Sequence, residues 1–226
     1  MPRQARILPP DGAYHIVGRG NNRQDIFLDD SDKDKYLELI SRFKEDHPLS
    51  LFHYCLMTNH IHLLLETNNK TDLPTFMKRL NLAYFHHFKK KYGYAGHFWQ
   101  DRFKSFLIEQ DNYLLVCGKY IELNPVRAKM VDDPSEYAYS SYGFYVKGEK
   151  SDILEPNPLF LELSDNKGDR QNAYRDFVLP DEKIEKFKGP FWGSEKFVAK
   201  MKKRLEYKET SLRQGRKVNF RRIKAG

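Results

Sequence analysis

An α+β fold, with an antiparallel sheet carrying helices on one face, follows from three features of the sequence. LSLFHYCLM and HIHLLLE are apolar, strand-like runs separated by only Thr58-Asn59. Two acid-capped segments carry apolar residues at helical spacing, and each falls between strand-like runs. The resulting order is strand, helix, strand, strand, helix, strand, helix. Its first six elements are the split βαβ, ferredoxin-like plan, a two-layer sandwich.

The first strand is placed near 13–19, where AYHIVGR has strand residue types and runs into glycines. The loop GRGNNRQ, rich in Gly, Asn and Arg, suits a turn or a backbone-phosphate contact. Asp29, Asp30, Ser31 and Asp32 precede Tyr36, Leu37, Leu39, Ile40 and Phe43 at helical spacing, so the first helix has an acidic N-terminus and closes by His47-Pro48. The two central strands follow, joined by a tight turn at Thr58-Asn59. Asp72 caps a second helix with Pro74 in its first turn and Lys89, Lys90 and Lys91 at its C-terminal end. FWQDRFKSFLI alternates in the manner of a fourth strand. Asp111 caps a third helix, and DNYLLVCGKYIELNPVRAKMV is expected to run through it, with Pro125 marking a kink or break.

Beyond Asp132 the periodicity weakens. DPSEYAYSSYGFYV suggests a short helix on the body, and residues 151–190 hold turn signals around a short helix near 170–178. GSEKFVAKMKKRLEY reads as a basic amphipathic helix and TSLRQGRKVNFRRIKAG as a flexible tail. The expected division is a main domain over 1–145 and a C-terminal extension over 146–226. Of the net charge of +8, the excess lies at the end of the chain: residues 196–226 carry twelve Lys and Arg against two Glu. A basic tail on a near-neutral body points to a polyanion, nucleic acid foremost, against the plainer reading of a solvated tail. No apolar run reaches the roughly 20 residues of a membrane-spanning helix. Two cysteines without a CxxC pair suggest a reducing, cytoplasmic setting.

Within TNHIHLLLE, strand alternation puts His60 and His62 on one exposed sheet face, with Ile61, Leu63 and Leu65 turned into the helical layer. Neutral imidazoles so placed can share a cation, although polar sheet faces also carry histidines with no such role. A partner lies in KYIELNPVRA, where Tyr120 and Asn124 are one helical turn apart. Asn124 offers an amide oxygen, and Tyr120 is either a nucleophile for a polarised phosphodiester or a half-buried packing aromatic. Tyr113 is the rival nucleophile, but it lies about 16 Å along the helix from Asn124.

Together, TNHIHLLLE and KYIELNPVRAKMV resemble the HUH single-strand nucleases with one catalytic tyrosine. Within these the chain is similar to the REP-associated tyrosine transposases. The resemblance spans roughly residues 12–145 and includes YHIVGRGNNRQDIF and GHFWQDRFKSFLIE. It implies a nuclease and strand-transferase domain in which Tyr120 is the nucleophile and His60 and His62 bind Mg²⁺ or Mn²⁺. Asn124 matches the third ligand position, where many relatives have Gln. Single-stranded or hairpin DNA would be cut through a 5′-phosphotyrosine, by a nucleoid-associated monomer or homodimer.

Contacts to that DNA are expected from Arg19, Asn21, Asn22 and Arg23 in the first loop and from Trp99, Arg102 and Lys104 near the fourth strand. Trp99 serves equally well as a core residue. Arg127 supports the tyrosine helix or meets a phosphate, and Lys202, Lys203 and Arg204 add sequence-independent affinity. Two other classes remain open: a domesticated nucleic-acid-binding protein without transposition activity, and a zinc hydrolase. For the latter, no HExxH or carboxylate-rich motif is present.

Overall fold

The computed structural model describes residues 8–180 and 189–207. Its centre is a sheet of four antiparallel strands, β1 (Gly12–Arg19), β2 (Leu49–Met57), β3 (His60–Thr67) and β4 (Lys104–Ile108). They lie in the order β2-β3-β1-β4, the ferredoxin-like arrangement expected from the element order. A two-residue strand, β5 (Phe191–Trp192), adds parallel to β4, so the complete sheet is mixed.

Alternation along β3 divides the interior into two layers. Ile61, Leu63 and Leu65 pack with α1 (Asp30–Lys44) and α2 (Leu73–Tyr92), through residues such as Tyr36, Ile40, Phe76 and Tyr84. Leu64 turns the other way, joining Phe52, Cys55 and Ile108 beneath α3 (Asn112–Glu122). Helices therefore cover both faces: α1 and α2 form the expected layer, and α3, the additional tyrosine helix, lies on the face that carries the histidines.

The helix ends follow their local chemistry. Asp29 and Asp32 form a reciprocal capping box at the start of α1. The Asp72 carboxylate accepts from the Thr75 amide, and α2 stops at Gly93, whose φ of 64° favours a residue without Cβ. The third helix is shorter than its sequence suggested. Pro125 cannot donate to the Ile121 carbonyl, so α3 ends at Glu122 and a separate turn, α4 (Asn124–Arg127), follows.

The fourth strand is also shorter than expected, because residues 98–103 have no adjacent strand. Asn21 N donates to Phe98 O and Gln100 N to Arg19 O, with an isolated bridge between Gly20 and Trp99 in place of a ladder. Phe98 and Phe103 both join the α1/α2 cluster, which strict alternation does not allow.

C-terminal to α4, the short helices α5 (Tyr142–Val146) and α6 (Pro158–Leu161) and the longer α7 (Lys167–Val178) enclose a third cluster. Tyr145, Phe160 and Tyr174 pack there with Leu115 and Leu123 of the tyrosine-helix region. The basic helix α8 spans Glu195–Arg204, capped by Ser194. The expected tail over 210–226 lies outside the described residues. Among the described residues no helix is long and apolar enough to cross a membrane.

Candidate active site beneath the tyrosine helix

The antiparallel register of β1 and β3 sets Val17 opposite His62 and Arg19 opposite His60. Paired residues share a face, so His15, Arg19, His60 and His62 all lie on the side covered by α3. The two β3 imidazoles are 4.9 Å apart, centroid to centroid. The sequence led to an exposed face, but α3 closes over it: His62 is only 4% exposed and His60 is half-buried.

α3 reaches that depth because of Gly118, where a Cβ would stand 2.6 Å from the ring of His53 on β2. Tyr120 then comes to rest among rings, with its centroid 5.8 Å from His15, 6.0 Å from His62 and 6.4 Å from Trp192. The Arg127 guanidinium sits 5.4 Å from the phenol centroid. Tyr113 instead packs near Trp192, 6.1 Å away. The structure thus brings Tyr120 to the histidine pair, as expected.

Asn124 has a defined local role. Its amide nitrogen donates to the carbonyls of Tyr120 and Ile121, at 2.8 and 3.1 Å, which replaces the bond Pro125 cannot make. Its carbonyl oxygen is the end left to act as a ligand.

Burial dominates the electrostatics. It holds His60 down to about 4, aided by the Arg19 charge, and His15 down to about 3, and it holds His62 well below the usual imidazole value. All three are therefore neutral near pH 7, the form that ligates cations. Burial also raises the Tyr120 phenol, while Arg127 and Arg19 act in the opposite direction.

The donor set suits a divalent ion. His62 Nε2 is buried and makes no hydrogen bond, while its Nδ1 lies 2.8 Å from His15 Nε2. A buried, unpartnered nitrogen is costly unless something coordinates it. No cluster of three or more His, Cys, Asp or Glu residues suited to a metal occurs among the described residues, so any cation there depends on the histidine pair with an amide or water oxygens.

These depressed values make stability depend on pH. Below an ordinary value near 6.5 the unfolded chain binds protons that folded His60 and His15 refuse, until about 4 and about 3 respectively. Their contribution is whole above pH 6.5 and is lost as the pH falls through that window. The unfolding midpoint of the metal-free protein is expected to drop between pH 6.5 and 4, and a flat midpoint there would contradict the burial.

The other candidate contacts divide into groups. Arg19 is exposed at the mouth of the site, and Lys104, paired with Val17, shares its face. Asn21, Asn22 and Arg23 form a 3-10 turn that folds over the β2–β3 turn, with Gly20 N donating to Asn59 O at 2.9 Å. Trp99 and Arg102 are not brought to the histidines. They line a cavity of about 560 Å³ beside α2, and the Trp99 indole donates to the Asn81 carbonyl. Lys202, Lys203 and Arg204 close α8, with Lys203 and Arg204 exposed.

Three residues at or behind the site escaped the sequence reading. His15 lies in a strand whose alternation was legible, but only register sets it beside His62. Trp192 lies in KGPFWG, where the turn residues masked a strand. Glu122 is a charge on an apolar helix face; fully buried, it accepts from Ser141 Oγ at 2.6 Å and Tyr174 OH at 2.8 Å and lies 2.9 Å from His53 Nδ1.

Residues 10–124 match the family model for the IS200-like transposases. A REP-associated tyrosine transposase from Haemophilus influenzae is 30% identical over 142 residues, covering 55% of this chain and 80% of the relative. Among solved structures, a REP-associated tyrosine transposase bound to a REP hairpin superposes with a TM-score of 0.58. It is 18% identical, over 69% of this chain and 92% of that one, a likeness of fold.

Proposed function

The chain belongs to the IS200-like transposase family and, within it, to the REP-associated tyrosine transposases, and from that premise we propose that it is a metal-dependent single-strand DNA endonuclease and strand transferase. The observation that carries this reading is the meeting of Tyr120 with the His60/His62 pair under α3. Tyr120 Oη attacks the scissile phosphorus as the bond to the 3′-oxygen breaks. The phenol gives up its proton to solvent, and the departing 3′-oxygen takes one up. The ester energy is kept in a 5′-phosphotyrosine, so a second 3′-hydroxyl can reverse the step without a nucleotide cofactor.

His60 and His62 would hold Mg²⁺ or Mn²⁺, with Asn124 Oδ1 as a further oxygen ligand. Imidazole nitrogens favour the softer Mn²⁺. When bound, such an ion neutralises charge on the phosphate and polarises it toward attack. Arg19 and Arg127 add fixed positive charge at the mouth of the site and beside the phenol, favouring phosphate there. Arg127 also opposes the burial that keeps the phenol protonated.

Hairpin DNA is the substrate class this reading favours, since the similar solved structure is described as holding a REP hairpin. Asn21, Asn22, Arg23 and Lys104 would meet the strand next to the site, while Trp99 and Arg102 would serve DNA only on the α2 side. The test is incubation with Mn²⁺ and single-stranded hairpin oligonucleotides, followed by denaturing electrophoresis. A covalent protein–DNA adduct is expected. Its absence across hairpins carrying varied flanks would leave the alternative of a binding protein without strand transfer.

Lys202, Lys203 and Arg204 are assigned to sequence-independent backbone contact. Replacing all three with alanine is expected to weaken binding uniformly across sequences and to lower the slope of log K against log salt by about 2. An unchanged slope in fluorescence-anisotropy titrations would remove α8 from the interface.

A further inference from the structure

We propose that His15 and Asn59 are positioning residues that preset the tautomers of His62 and His60, so that both imidazoles present Nε2 to a cation. The inference rests on the metal-dependent reading above and extends it to two residues outside the ligand set.

At His60 the chain of bonds allows one assignment. The Asn59 amide nitrogen donates to the Arg23 carbonyl at 3.2 Å, which makes Asn59 Oδ1 the acceptor end. That oxygen lies 2.6 Å from His60 Nδ1. Nδ1 must therefore carry the proton, and Nε2 keeps its lone pair.

At His62 the same arrangement is built from the opposite strand. His15, 1% exposed on β1, places Nε2 at 2.8 Å from His62 Nδ1, with the two rings stacked at 19°. If His62 Nδ1–H donates to His15, the buried His62 Nε2 bears a lone pair that a cation can use. Each tautomer buries one ring N–H, on His15 Nδ1 in this arrangement and on His62 Nε2 in the reverse, and only the first leaves His62 Nε2 a lone pair that a bound cation can satisfy. Ligand histidines are commonly oriented in this way, by a second group on the distal ring nitrogen. Through Arg23, the His60 half of the arrangement is also tied to the loop assigned to DNA contact.

Two measurements test this. In the metal-free wild type, ¹⁵N-detected imidazole spectra are expected to show His60 and His62 as Nδ1–H tautomers. In Mn²⁺ titrations followed by electron paramagnetic resonance, His15→Leu and Asn59→Ala are each expected to weaken binding by about 10–100-fold, and His15→Gln, which returns an acceptor near the Nε2 position, to recover to within about threefold. Finding His62 as the Nε2–H tautomer overturns the inference whether or not any variant folds. Wild-type Mn²⁺ affinity in folded His15→Leu overturns it while leaving the proposed function intact. A wild type that binds no Mn²⁺ overturns both.

Discussion

Tyr120→Phe is expected to abolish the covalent protein–DNA adduct and to lower cleavage by about 10³-fold or more, with the fold retained. The substitution removes one hydroxyl from a ring held by His15, His62, Trp192 and Arg127, and those ring contacts do not depend on the oxygen. A thermal midpoint close to that of wild type should therefore accompany the loss. Tyr113→Phe is the matched control: its ring packs near Trp192 on the same helix, and adduct formation should persist. An adduct that survives Tyr120→Phe and disappears with Tyr113→Phe would move the nucleophile one turn-pair back along α3.

Glu122→Ala is expected to cost about 3–5 kcal/mol of folding stability, measured as a lower midpoint in urea at unchanged slope. The carboxylate is fully buried and joins four segments: α3 itself, His53 of β2, Ser141 just before α5, and Tyr174 of α7. His53 in turn stacks on Tyr145 at 4.4 Å, and its Nε2 lies 3.2 Å from the Asn157 amide. Removing the carboxylate leaves three buried polar groups without their partner, each carrying a desolvation penalty. Because Glu122 lies two residues from Tyr120, loss of adduct formation should follow the loss of stability with denaturant and temperature. A change under about 1 kcal/mol would mean that solvent reaches this network. Glu122→Gln retains the size but replaces an acceptor oxygen with a donor, and an intermediate loss is expected.

The network also bears on the role of residues beyond 145. Tyr174 bonds Glu122, and the Lys119 ammonium donates to the Phe177 carbonyl at 2.8 Å, so α7 braces the outer side of the tyrosine helix. β5 adds Trp192, whose ring packs near both Tyr113 and Tyr120 of the same helix. None of this is visible in residues 151–190 as a sequence. Isolated polar and aromatic residues among turn signals have no period, and their role depends on what they meet.

Local sequence determined the elements and the residue types at the candidate site. Period-two and period-3.6 patterns, Asp29, Asp72 and Asp111 as caps and Pro125 as a break are all effects of a few bonded neighbours, so they were legible without a fold. His60, His62 and Tyr120 were legible for the same reason, as residue types at strand and helix spacing. Tertiary structure alone decided which face was covered, how far the fourth strand ran, and which residues support the site. His15 meets His62 across 47 positions and Glu122 meets Tyr174 across 52. Such contacts are set by strand register and by the close approach of α3 at Gly118, and these depend on burying both sheet faces at once, a condition no local window of sequence contains.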